Sequence, residues 1–216
     1  MKIIAGTGSN ATDHTVDLSI AAQREGADAL LVVSPYYNKA TSEGLFRHYL
    51  SVAHAVNIPV ILYNVPSRTG MDIPVGVYKR LSAIPNIAGV KEATTDICKI
   101  LQIRYECEDN LPIWCGNDDM TVPVMSLGGM GVISVVSNLL PQEVQAMALA
   151  ALDGDFDTAA HLQRRLYSLT KLLQCQVNPV PVKAAMKCVG YDCGGCRLPL
   201  TELSEEQTKK LKEFFS

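Results

Sequence analysis

Lys91 stands directly after the apolar run Ile87-Ala88-Gly89-Val90 in this chain of 216 residues. Burial among apolar neighbours favours the neutral, nucleophilic form of an amine, and such an amine adds to carbonyl compounds to form a Schiff base. The competing reading is an ordinary lysine paired with a neighbour such as Glu92. Lys183, in Asn178-Pro179-Val180-Pro181-Val182-Lys183, falls in a helical pattern and reads as structural.

Tyr63 closes a second apolar run, Val60-Ile61-Leu62, and Asn64-Val65-Pro66-Ser67-Arg68-Thr69-Gly70 follows as a compact loop with one guanidinium. A phenol can pass a proton, and a guanidinium grips a carboxylate through two parallel hydrogen bonds. A tyrosine at a strand end also serves as core with its hydroxyl satisfied. Tyr36 and Tyr37, after Pro35, read either as an aromatic wall or interface or as members of a proton relay.

The elements that must position these residues follow from the hydrophobic pattern. Strand-length apolar runs occupy residues 2–5, 29–34, 60–63, 87–90, 113–115 and 132–136, and helical spacing fills residues 15–25, 44–56, 74–82 and 97–106 between them. Alternation of strand and helix predicts a parallel sheet with crossover helices, and near-continuous apolar strands predict that both its faces are covered. The pattern does not choose between a barrel and a doubly wound sheet. Polar and special-geometry residues gather after each run, at Gly6-Thr7-Gly8-Ser9-Asn10, Pro35-Tyr36-Tyr37-Asn38, Lys91-Glu92-Ala93-Thr94, Gly116-Asn117-Asp118-Asp119 and Ser137-Asn138. In a parallel α/β protein these loops share one rim, where the chemistry sits.

Past residue 140 strand signals stop, and residues 141–152, 156–174, 180–189 and 204–215 carry helical spacing. Pro141, Pro179 and Pro181 suit first-turn positions, and Ser204 with Gln207 forms a capping box. These helices predict a C-terminal appendage that folds together with the rest.

Composition excludes several function classes. A net charge of −3 and no run of lysine and arginine leave no footprint for nucleic acid. No apolar stretch approaches a membrane span and no secretory leader is present, which predicts a cytoplasmic protein without a membrane partner. Seven scattered cysteines fit a compartment where thiols stay reduced. Cys193-Gly194-Gly195-Cys196 has metal-ligand spacing, but a structural zinc needs four ligands and no second pair stands at matching spacing. The bland reading, a glycine turn with two bystander thiols, is preferred, and no metal site is expected.

The segments Tyr63-Asn64-Val65-Pro66-Ser67-Arg68-Thr69-Gly70 and Gly89-Val90-Lys91-Glu92-Ala93-Thr94 resemble the two signature segments of the dihydrodipicolinate synthase and N-acetylneuraminate lyase superfamily. Ala5-Gly6-Thr7-Gly8-Ser9-Asn10, Ser34-Pro35-Tyr36-Tyr37-Asn38, Gly116-Asn117-Asp118-Asp119, Gly131-Val132-Ile133-Ser134-Val135 and Asn178-Pro179-Val180-Pro181-Val182-Lys183 continue the resemblance in family order. It implies a (β/α)8 barrel, with residues 1–140 carrying strands 3 to 8 and residues 141–216 a helical region. It also implies that Lys91 condenses with pyruvate, that Tyr63 moves protons to and from the adduct, and that Tyr37 belongs to the relay. Arg68 would hold the carboxylate of the incoming aldehyde, Ile133 would present its backbone to pyruvate, and Gly116 would join the substrate-binding set. No cofactor is implied. Arg68 within Ser67-Arg68-Thr69-Gly70 favours aspartate semialdehyde as the aldehyde, with another pyruvate-dependent aldolase or a non-catalytic product as the alternatives. A homotetramer or homodimer follows from the same resemblance.

The sequence departs from the family in one respect. Members begin with two further strand–helix units, and the second leads into a Gly-Thr-Thr-Gly-Glu loop that binds the pyruvate carboxylate, a motif this chain does not contain. Met1 stands directly before what would be the third strand, so the expectation is a partial barrel with little activity by itself. The family's lysine-feedback site also looks incomplete. Asn10 and Tyr36 resemble it, but His14 stands where lysine-sensitive members carry an acid, and lysine inhibition is not expected.

Overall fold

The computed structural model describes residues Met1–Phe215. It divides into two compact units: residues Met1–Asn117 with Leu127–Val132, and residues Asp118–Ser126 with Ile133 onward. The sequence ranges 1–140 and 141–216 divide the chain at a different point, because Asp118–Ser126 and residues 133–140 cluster with the C-terminal helices.

The first unit holds six parallel strands: β1 (Ile4–Gly6), β2 (Ala29–Val33), β3 (Val60–Asn64), β4 (Ile87–Glu92), β5 (Ile113–Cys115) and β6 (Gly131–Val132). The helices α1 (Thr12–Arg24), α2 (Ser42–Ala55), α3 (Pro66–Thr69), α4 (Val75–Leu81) and α5 (Ile97–Cys107) stand between the first five. Each strand pairs with its neighbour in sequence, in the order β1-β2-β3-β4-β5-β6. A doubly wound sheet reverses its strand order at a switch point; this one never does, so the winding is that of a TIM-barrel-like fold.

Register explains how the strands present their side chains. Val32, Leu62, Val90 and Ile113 are fully buried and belong to the face that the helices cover. On the other face Val33, Tyr63, Lys91 and Trp114 stand side by side across four strands, each half-buried. The expectation that both faces are fully covered holds for the helix side only. Along β2 the residues alternate between buried and half-buried, the mark of one face closed and the other part open.

One irregularity decides which residues meet. Val60 pairs with Ile87 but Ile61 pairs with Gly89, so β4 gains a residue at Ala88. Without that bulge Tyr63 would lie opposite Val90; with it, Tyr63 lies opposite Lys91. Gly89 permits it: φ is +152°, and a Cβ there would stand 2.5 Å from the carbonyl oxygen of Pro112 and 2.5 Å from the Trp114 ring.

The second unit contains α6 (Thr121–Ser126), α7 (Pro141–Leu152), α8 (Phe156–Leu173), α9 (Val180–Cys188) and α10 (Glu205–Phe215). α8 buries Ala159, Leu166, Leu169 and Leu173 at helical spacing, and Asp155 caps it by accepting from the amide of Thr158. Gln163 on α8 holds the 118–126 segment, accepting from the Val122 amide at 2.7 Å and donating to the Asp119 carbonyl at 2.7 Å. Pro141 opens α7, and Ser204 and Gln207 form the expected reciprocal cap at the start of α10. Residues 132–136 do not form one strand. β6 stops at Val132, and Val136–Asn138 turns as a 3-10 helix, because the Asp118 carboxylate accepts from the amides of Val135 and Val136 and from the Ser134 hydroxyl.

Candidate active site

Lys91 and Tyr63 form the centre. The Lys91 amine lies 4.4 Å from the centroid of the Tyr63 ring, within the range in which a cation is drawn to an aromatic face. Both residues sit one position inside their strands, with Asn64 and Glu92 as the last residues of β3 and β4. Burial pushes the Tyr63 phenol above its ordinary range, and the Arg68 guanidinium draws it partly back. The phenol is therefore a protonated donor at neutral pH.

Arg68 is exposed and belongs to α3, a single turn that begins at Pro66 and ends on Gly70 in the left-handed conformation. The amide of Gly70 donates to the carbonyl of Pro66 at 3.0 Å, and the Thr69 hydroxyl donates to the carbonyls of Val65 and Met71. The loop is thus tied to itself, and it presents the guanidinium outward within electrostatic reach of Tyr63.

Tyr37 is brought to the same neighbourhood by its backbone, whose amide donates to the Thr69 carbonyl at 3.2 Å. Its side chain is 88% exposed and its φ is +69°, uncommon for a residue with a Cβ. Within this chain the ring stands in solvent. Gly116 packs at the end of β5: its amide donates to the Glu92 carbonyl at 2.8 Å, and a Cβ there would stand 2.7 Å from that of Ala93. Ile133 follows β6 directly and falls in the second unit, beside the turn that Asp118 organises.

Glu92 is fully buried and accounts for its own contacts on the helix side of β4. Its carboxylate accepts from Asn64 Nδ2 at 2.8 and 3.1 Å, from the Tyr78 hydroxyl at 2.8 Å and from the Thr94 amide at 2.9 Å. Lys99 Nζ lies 3.7 Å away and is ion-paired with Asp72. Asn64 also donates to Asp72 at 2.7 Å and accepts from the Ile73 amide. This cluster, together with the Gly89 bulge and Trp114, is what sequence reasoning missed. The glycine inside an apolar run was a readable signal for a bulge.

Among the described residues no group of three or more His, Cys, Asp or Glu side chains is placed to hold a metal ion, and no helix is long and apolar enough to cross a membrane.

A family model described as the dihydrodipicolinate synthetase family matches residues 1–216. A 4-hydroxy-tetrahydrodipicolinate synthase of Thermoanaerobacter sp. (strain X514) is 46% identical over 217 residues, covering 100% of this chain and 73% of that protein. Another from Caldicellulosiruptor saccharolyticus is 48% identical over 211 residues, covering 98% and 71%. The crystal structure of dihydrodipicolinate synthase from Aquifex aeolicus superposes with a TM-score of 0.97 at 44% identity, covering 99% of this chain and 73% of that one.

Proposed function

The chain belongs to the dihydrodipicolinate synthetase family, and from that premise we propose that it is a Schiff-base-forming lyase, a 4-hydroxy-tetrahydrodipicolinate synthase. It joins pyruvate to L-aspartate semialdehyde in the biosynthesis of diaminopimelate and lysine. The observation that carries this reading is the pairing of the Lys91 amine with the Tyr63 ring, 4.4 Å apart on neighbouring strands.

Lys91 Nζ attacks the keto carbon of pyruvate, and water leaves to give an iminium. Loss of a methyl proton gives the enamine, whose carbon attacks the aldehyde. Tyr63 supplies and recovers protons at the adduct, a role that suits a phenol held protonated by burial. Arg68 takes the aldehyde's carboxylate, and its exposed position on the self-tied α3 loop suits a group that must meet an arriving substrate. Gly116 and Ile133 are assigned to substrate binding by their places in the family's motifs. Tyr37, at 88% exposure, contributes to the relay only as part of an assembly, and with the exposed Tyr36 it supports a homo-oligomer. Seven free cysteines among the described residues suit a cytoplasmic enzyme.

The experiment is reductive trapping. Pyruvate and borohydride applied to the protein carrying the family's two N-terminal strand–helix units are expected to fix a covalent adduct on Lys91 and leave Lys183 unmodified, read by peptide mass mapping. An adduct on another lysine with Lys91 untouched overturns the mechanism.

A further inference from the structure

Glu92 and Lys91 are consecutive in β4 and face opposite sides of it. Lys91 stands in the half-buried row with Tyr63, while Glu92 is sealed among helices on the other side. A buried carboxylate is costly unless its oxygens are satisfied, and this one is surrounded by donors: the Asn64 amide, the Tyr78 hydroxyl, the Thr94 backbone N–H and the Lys99 ammonium. Asn64 cannot turn its oxygen toward Glu92, since that oxygen accepts from the Ile73 amide at 3.1 Å. Burial pushes the Glu92 carboxyl above the ordinary carboxylate range, and Lys99, Tyr78, Asn64 and the Thr94 amide draw it back; the donor set fits an ionised carboxylate and leaves little to accept a carboxyl proton.

We propose that Glu92 is a positioning residue for Lys91, a buried counter-charge on one face of β4 that favours the cationic state, and so the iminium, at the nitrogen on the other face. The proposal rests on the reading of Lys91 as the Schiff-base lysine, but its electrostatic half stands without any substrate. Every charged or titratable group set against Glu92 enters the balance: Tyr49 from α2, Asp72 ahead of α4, Tyr78 from α4 and Lys99 from α5. Lys99 opposes Glu92 at Lys91, and Asp72 in turn offsets Lys99 through their ion pair. Two carboxylates against one ammonium leave a net negative charge behind Lys91. Asn64, which clasps Glu92, is also the neighbour of Tyr63, so the same clasp holds the β3–β4 register that brings phenol and amine together.

The test titrates Lys91 without substrate. Limiting acetic anhydride modifies only the neutral amine, and peptide mass mapping across pH gives the midpoint at Lys91. Charges on the order of 10 Å apart at an effective dielectric of about 20 shift a midpoint by roughly one pH unit. Glu92→Gln should lower it by that amount, and Lys99→Met should raise it. An unmoved midpoint in folded Glu92→Gln protein, or the same direction of shift in both variants, overturns the proposal. If Glu92→Gln does not fold, Lys99→Met decides, and an unmoved or lowered midpoint is fatal. Pyruvate trapping on the protein carrying the family's two N-terminal strand–helix units is run in parallel. Absence of a Lys91 adduct there overturns the aldolase reading, while the midpoints independently decide the role of Glu92.

Discussion

Tyr63 and Lys91 lie opposite each other because β4 takes one extra residue at Ala88, and Gly89 is what lets it do so. The bulge shifts the strand by one residue, and in a structure of period two a one-residue shift exchanges the faces. Lys91 therefore joins the row with Tyr63 and Trp114, and Glu92 passes to the helix side.

Gly89→Ala should accordingly damage both fold and site. Its φ of +152° is hostile to a Cβ, and the space is filled by the Pro112 carbonyl and the Trp114 ring at 2.5 Å. Backbone strain and overpacking together should cost about 3 kcal/mol. Urea denaturation measures the loss; a variant as stable as the unsubstituted protein would show that the bulge is not glycine-dependent.

Tyr63→Phe keeps the ring beside Lys91 and removes the proton. Adduct formation with pyruvate should slow by roughly 10²- to 10⁴-fold, the usual contribution of a positioned acid or base, with little change in stability. Since burial raises the phenol's pKa, its donor role should persist through neutral and mildly alkaline pH and fade only above its ordinary value of about 10. Single-turnover trapping across pH checks this, and an unimpaired phenylalanine variant would remove Tyr63 from the mechanism.

Arg68→Ala should separate the two substrates. The adduct with pyruvate should form nearly as before, while use of the aldehyde should fall about ten- to a hundredfold, as expected when a charge-assisted carboxylate contact is lost. Equal loss in both steps would make Arg68 a support for the α3 loop only.

Much of this was legible in the sequence, for identifiable reasons. That Lys91 and Tyr63 share one rim was readable because each stands at the end of an apolar run, and ends of runs are where parallel strands deliver their side chains. The Ser204–Gln207 cap and the proline opening α7 were read from local rules that tertiary packing did not override. The face each residue takes was not legible: Glu92 was a plausible partner for Lys91 until the bulge fixed the register and gave its carboxylate to Asn64, Tyr78 and Lys99. Nor was the end of β6, since Val135 and Val136 carry strand propensity but lose their amides to Asp118, which lies 17 and 18 positions earlier. The barrel-type winding needed strand order, which no alternation of elements contains.

His48 should make the fold sensitive to acid. This residue of α2 is 4% exposed; its Nδ1 shares a hydrogen bond with the Thr12 hydroxyl at 3.0 Å, and its buried Nε2 has no hydrogen-bond partner among the described residues. Burial pushes its pKa down to about 4. In the unfolded chain the ring protonates near its ordinary value of about 6.5, so the folded state binds this proton more weakly than the unfolded state does. The stability due to the neutral ring is complete above about pH 6.5 and is lost as pH falls from there through about 4. That loss should reach about 2–3 kcal/mol by pH 4. His48→Gln cannot take up a proton, so urea denaturation should find its stability lower than the unsubstituted protein's at pH 8, with the gap closing or reversing by pH 4. Parallel pH–stability curves for the two proteins would show that His48 is not the buried base that sensitises the fold to acid.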